Sequence, residues 1–346
     1  MPSTTRTVIA EGLGPATALE IAPDDTMLVT VGSEILSITP AGTRSTLRHD
    51  LTDVATSGAG LLDLALAPGF PATPEIYLCY RTDTDIRVVS MTTDRELTSA
   101  RSGLALLTGL PLPRPGEVGC HIEFGPDAHL YIGTSDGGDP RAPQALESSG
   151  GKILRLDVAS RRAPADNPFI DRSDPITQLV YSYGHRDITG LAWHPNSATM
   201  YAIDRGPNRE NEVDVIVPGG NYGWDPASRS TSNYQTDGVP MTDLSISGAR
   251  PAAWNSGTDS PGLGPALFVA GSQWGSLSCD LVISNTAGPR VLFLSVTGEV
   301  IDQPTTLPTV NPLGPTTDID QDAAGNLLVI AASGDDERLL RLSVTS

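Results

Sequence analysis

Residues 121–138, HIEFGPDAHLYIGTSDGG, hold the pattern that decides the fold: an apolar run, a Gly-Pro-Asp reversal, and a second apolar run ending in Asp-Gly-Gly. Alternating and continuous apolar runs of five to seven residues, punctuated by residues that tolerate tight turns, are the mark of antiparallel hairpins. Working outward, the same unit recurs with copies beginning near Ala18 (ALEIAPDDTMLVTVG), Asp63 (DLALAPGFPATPEIYLCYR), His121, Gly190 (GLAWHPNSATMYAIDRG), Leu267 (LFVAGSQWGSLSCDLVIS) and Thr317 (TDIDQDAAGNLLVIAAS). A four-stranded sheet built on such a unit has two faces to bury and cannot bury them alone, so six copies predict an all-β, six-bladed β-propeller.

The strand pattern RTVIAEG at residues 6–12 has no partner in its own copy and is expected to complete the last blade. Copies lie about 45 to 80 residues apart, and the longer intervals hold polar, Pro-rich stretches at 159–177 and 225–265, read as surface loops. One propeller domain over residues 1–346 accommodates the whole length.

Gly 35 and Pro 29, without a long amphipathic run at helical spacing, agree with short strands and turns. The formal charge of −19 opposes the counterion release that drives nucleic-acid binding and repels an anionic membrane surface, so the expected partner is a small molecule. Nothing in the sequence fixes an oligomeric state. Residues 1–13 lack the basic and apolar regions of a signal peptide, and the three cysteines, Cys79, Cys120 and Cys279, share no metal-type spacing. Their odd number reads as reduced thiols, and the expected location is the cytoplasm.

Three stretches carry a resemblance to a known family: GLLDLALAPGF at 60–70, FGPDAHLYIGTSDGGDPRAPQALESSGGKILRLD at 124–157, and residues 167–224, with YSYGHR at 181–186, RGPNRENEVDVI at 205–216 and GGNYGW at 219–224. Together they resemble successive blades of the soluble glucose/sorbosone dehydrogenases. That resemblance implies pyrroloquinoline quinone held over a calcium ion, and a histidine base that takes the proton of a sugar's anomeric hydroxyl while hydride passes to the quinone.

The residues depart from that pattern. Where the resemblance implies a His-x-Gly-Gly-Arg segment before the Phe-Gly-Pro-Asp turn, this chain has Glu117-Val118-Gly119-Cys120-His121, so that Glu117 replaces the base and His121 the arginine. Gly58, Asp187, Arg205 and Asn211 stand where glutamine, asparagine, histidine or glutamine, and aspartate are implied, and Pro315 and Thr317 replace two arginines. The only lysine, Lys152, sits in the strand motif GKILRLD, away from the late position the resemblance implies. A tricarboxylate quinone facing new carboxylates would meet a reversed field, so the substitutions disfavour the quinone. Gly206 and Pro207 keep a turn implied to face calcium, and Glu212 with the Tyr222 carbonyl matches part of a second calcium site, which makes calcium the candidate ion.

Glu117, His121 and Asp187 are the candidate catalytic residues, Glu117 and His121 as base and acid with Asp187 orienting, and Arg186, Arg205, Asn211 and Cys120 the candidate substrate-binding residues. Opposed charges in a cleft can poise acid–base chemistry such as cyclisation, isomerisation, elimination or hydrolysis without a hydride acceptor. The alternatives are an ion-pair plug in a vacated cofactor cavity, a quinone- and calcium-dependent aldose dehydrogenase, or a non-catalytic binding propeller. Asp187 beside Arg186 reads equally as a plain salt bridge, Cys120 as a buried strand residue, the Asp136-Gly137-Gly138-Asp139 run as a turn, and Trp224 as packing.

Overall fold

The computed structural model describes residues 2–228, 238–259, 262–287, 291–307, 314–333 and 336–345. The fold class is a six-bladed β-propeller. Its described strands form five four-stranded antiparallel sheets and one of three strands, with a separate two-stranded ribbon. The first strands of these sheets, Ala16–Ile21, Leu61–Leu66, Cys120–Phe124, Ile188–Trp193, Leu263–Phe268 and Thr316–Gln321, begin about one to four residues before the positions at which the repeats start.

The chain divides into two compact units, Met1–Thr108 with Gly264–Ser346, and Gly109–Leu263. In the first unit, opposite faces of one strand serve different neighbours, as the two-residue side-chain period of a strand requires. Leu28 packs with Leu64, Leu78 and Met91 of the second sheet, whereas Met27 and Val29 pack with Leu328, Ile330 and Leu339 of the last. A blade buried on both faces therefore reads as a near-continuous apolar run, and removing one such side chain, as in Leu28→Ala, costs about 2–5 kcal/mol. Strand Ser3–Ala10 pairs antiparallel with Asp336–Thr345, so the last sheet takes its outer strand from the start of the chain. Cys79 in this unit is disulfide-bonded, against the expectation of a thiol.

The second unit holds two sheets: strands Cys120–Phe124, Leu130–Thr134, Lys152–Leu156 and Val180–Tyr183, then Ile188–Trp193, Met200–Asp204, Glu212–Ile216 and Trp254–Asn255. Tyr131 and Ile153 of one sheet pack against Leu191, Ala202 and Ile216 of the other. Lys152 is fully buried, and its ammonium donates to the carbonyls of Ala142, Pro143 and Gly150 at 2.6, 3.0 and 2.7 Å. That cage satisfies all three N–H donors of the side chain, which explains how the chain's one lysine tolerates burial. The 159–177 stretch is not wholly loop. Asp174 caps a five-residue helix, Pro175–Leu179, by accepting the Thr177 N–H at 2.8 Å, with proline at the first turn where its missing donor is harmless. Residues 229–237 and 260–261 of the 225–265 stretch lie outside the described residues.

Candidate active site

The second unit concentrates its charge where the segment 184–187 links strand Val180–Tyr183 to strand Ile188–Trp193. Gly184 makes the bend with φ of +77°, and a side chain there would strike the Asn221 amide. Arg186 donates from Nη1 to the Arg205 carbonyl at 2.6 Å and from Nη2 to Glu117 Oε1 at 3.2 Å. Asp187 turns to Arg205 instead, whose Nη2 donates to Asp187 Oδ2 at 2.8 Å and also to the Gly116 carbonyl. The N–H groups of Val118 and Gly119 donate to the same carboxylate, each at 3.2 Å.

Glu117, Arg186, Asp187 and Arg205 are thus brought together, but in crossed pairs. Arg186 serves Glu117 and Arg205 serves Asp187, so the neighbouring residues 186 and 187 do not form the simple salt bridge their adjacency suggests. The side chains of Glu117 and Asp187 are 1 % and 0 % exposed, and that of Arg205 is 12 % exposed. Burial pushes the Glu117 carboxyl up to about 7, helped by the nearby negative charges of Asp187 and Asp136 and opposed by the Arg114 N–H and the Arg186 guanidinium.

Asp136 belongs to this group, although its sequence context reads only as a turn. The turn is present, with the Gly138 N–H donating to Asp136 Oδ1 at 2.8 Å, but Asp136 Oδ2 also accepts the buried Trp224 Nε1–H at 2.9 Å. Burial raises the Asp136 carboxyl above its ordinary range, with the bonds from Trp224 and Gly138 acting in the opposite sense. The signal available was the pairing of a buried aromatic donor with an acid, which needs three-dimensional proximity to be seen.

The other candidates take separate places. His121 is buried in strand Cys120–Phe124 opposite Gly133, and Asp187, its expected orienting partner, is engaged by Arg205 and two backbone amides. Cys120 is disulfide-bonded, which removes the thiolate a nucleophile needs and withdraws the thiol argument for a cytoplasmic location. Asn211 is buried just before strand Glu212–Ile216, its N–H donating to Ser256 Oγ at 3.0 Å. Gly206 is required by packing, since a side chain there would collide with the Arg209 carbonyl, and Pro207 follows it in the same turn.

Glu212 and Tyr222 lie in a second acidic region. Both Glu212 carboxylate oxygens accept from Thr242 Oγ1 at 3.0 Å, and the Tyr222 ring stacks on His185 with centroids 4.7 Å apart. His185 Nδ1 is 3.2 Å from Asp204 Oδ2, and Asp204 Oδ1 accepts the Asp187 N–H at 2.9 Å. Burial, reinforced by the mutual repulsion of the acids, raises Glu212 and Asp214 well above the carboxylate range.

The family model for glucose/sorbosone dehydrogenases matches residues 14–341. The chain belongs to the glucose/sorbosone dehydrogenase family. Over 288 residues it is 28 % identical to quinoprotein glucose dehydrogenase B of Acinetobacter calcoaceticus, covering 71 % of this chain and 59 % of that protein. The aldose sugar dehydrogenase YliI of Escherichia coli is 26 % identical over 307 residues, 86 % of this chain and 81 % of that one. An uncharacterized Synechocystis protein, slr1608, is 34 % identical over 199 residues, 53 % of this chain and 47 % of that protein. This chain therefore spans about half of two of these relatives and most of the third. Among solved structures, the quinone-bound aldose sugar dehydrogenase of Streptomyces coelicolor aligns over 100 % of both chains with a TM-score of 0.79 and 25 % identity.

Proposed function

We propose that this protein is a sugar oxidoreductase that oxidises a small aldose, with Glu117 as the base that takes the proton of the reacting hydroxyl. The observation that carries the reading is Glu117 itself. It occupies the base position implied by the family pattern, and its carboxyl is held up to about 7, where a proton acceptor works best near neutral pH. Similarity to a quinoprotein glucose dehydrogenase and to an aldose sugar dehydrogenase supports the substrate class and the redox reaction.

A tricarboxylate quinone would be held here by the cationic pair Arg186 and Arg205; the forked guanidinium of Arg205 carries five N–H donors, more than its bonds to Asp187 and the Gly116 carbonyl use among the described residues. Lys152 cannot contribute, since its ammonium is enclosed by three carbonyls. A bound quinone supplies the hydride acceptor. Within the chain, Arg186 tempers the raised carboxyl of Glu117, and Arg205, the more open of the two cations, suits a substrate or quinone oxygen. Asp187 fixes Arg205 from the buried side, and the Val118 and Gly119 amides hold Asp187 in turn. Calcium would find oxygen ligands at Glu212 and in the Gly206–Pro207 turn.

A second reading keeps Glu117 as base but dispenses with the acceptor: acid–base chemistry such as isomerisation or elimination on the same class of substrate. It is favoured by the crossed ion pairs, which already neutralise part of the cationic charge a tricarboxylate would need. Titration with pyrroloquinoline quinone and calcium, followed by dye-linked oxidation of an aldose panel, separates the two. A stoichiometric bound spectrum with sugar-dependent dye reduction is the expected result. Absence of both would discard the redox reading and direct attention to proton-transfer reactions of the same sugars.

A further inference from the structure

Below the crossed pairs lies a group of side chains that the proposed reaction leaves unused. Asp204 ends strand Met200–Asp204 and pairs across to Glu212, while Asp214, two residues along strand Glu212–Ile216, pairs with Ala202 and so shares the Glu212 face. His185 approaches the same face from the bend at 184–187, fully buried, as Asp204 and Asp214 nearly or wholly are. One donor atom each from His185, Asp204 and Asp214 lies within 4.8 Å of the others.

Asp214 sets this group apart from an ordinary acidic cluster. It is 0 % exposed, and among the described residues neither carboxylate oxygen has a hydrogen-bond partner. A buried carboxylate normally accepts several hydrogen bonds or pairs with a cation, because its desolvation is otherwise uncompensated. The other members have supports that leave room for a ligand. Asp204 is steadied by the N–H groups of Arg186 and Asp187, and His185 Nε2 lies 2.9 Å from Ser182 Oγ. With Nε2–H donated to that hydroxyl, the Nδ1 lone pair faces Asp204, an outer contact of the kind that orients metal-bound histidines.

We propose that His185, Asp204 and Asp214 form a binding site for a divalent first-row transition ion of the zinc or manganese type, with Glu212 as a neighbouring carboxylate. One imidazole and two carboxylates suit such ions, whereas calcium takes oxygen ligands alone. A dication would balance the acids of this pocket and give Asp214 the partner it lacks. The inference stands on its own donor set and does not depend on the reaction proposed above. Through Asp204, the ion would also stiffen the backbone amides of Arg186 and Asp187.

The test is metal analysis by plasma mass spectrometry after equilibrium dialysis of the full chain against micromolar zinc or manganese, with excess calcium in every sample. About one equivalent of the transition ion is expected, with affinity weakened about 100-fold or more in Asp214→Asn. X-ray absorption on the wild-type zinc form should give one imidazole nitrogen and oxygen ligands. Absence of transition metal in the wild type, full affinity in Asp214→Asn, or a ligand shell without imidazole would overturn the assignment. The wild-type measurements decide even if the variant does not fold.

Discussion

Replacing Glu117 by glutamine should alter how stability depends on pH, by an amount that follows from its surroundings. The carboxyl is raised from 4.5 to about 7 in the folded protein. Between those values the folded chain binds more protons than the unfolded one, so this group's effect is neutral below the lower value and increasingly destabilising as pH rises through the window. The full span corresponds to about 3 kcal/mol, of which about 2.5 kcal/mol accrues between pH 5 and pH 8. A chain of this length unfolds with an entropy of roughly 0.7 kcal/mol/K, so the difference in Tm between variant and wild type should shift in the variant's favour by about 3 °C over that interval. Subtracting the two melting curves, recorded by calorimetry at half-unit pH steps, cancels the other buried acids, including Asp320 and Asp280. Glutamine imitates the protonated carboxyl and keeps an oxygen for the Arg114 amide, and the Arg186 charge pair, made only by the ionised carboxylate, is already contained in the value of about 7. A difference that stays flat from pH 5 to pH 8 would refute the buried, charge-crowded environment assigned to Glu117.

If Glu117 is the base, kcat/KM should rise with unit slope to a plateau above about pH 7, and Glu117→Gln should remove that limb and lower turnover about 10²–10⁴-fold in a dye-linked assay. Asp187→Ala leaves the Arg205 guanidinium with its charge uncompensated, and denaturant unfolding should register a loss of about 3–5 kcal/mol. Lys152→Met strands three carbonyls that the ammonium satisfies, and should cost about 3 kcal/mol or more by the same measurement. Reduction with excess dithiothreitol should lower stability by about 2–5 kcal/mol, with thiol titration reporting the release of the disulfide-bonded Cys79 and Cys120.

The blades were legible because each relies on a local signal, an apolar run flanked by residues suited to a reversal, as in the Phe124 to Leu130 hairpin. The outer strand Ser3–Ala10 was legible by elimination, having no partner nearby. The crossed pairing was not, since Glu117 and Arg186 are 69 positions apart and nothing local says which acid each arginine serves. Asp136 was hidden by a correct reading of its backbone as a turn, which leaves its second oxygen unaccounted for. The thiol expectation failed because an odd cysteine count excludes only complete pairing, not a single bond within three. Asp214 escaped notice in a strand of alternating apolar residues, where a short acid usually faces water; here its face is buried.

The antiparallel pairing of Ser3–Ala10 with Asp336–Thr345 has a consequence for biosynthesis. Growth from the ribosome is vectorial, at about 5–20 residues per second, so the first strand must wait tens of seconds for its mate to be made. During that interval it is an unpaired edge that can recruit a stray strand from another nascent chain. Val8 is the strand's one exposed apolar residue, but Arg6 lies on the same strand, a charged residue of the kind that discourages edge-to-edge association. The last blade is thus a clasp fastened late, and chaperone dependence should concentrate in the delay before it closes.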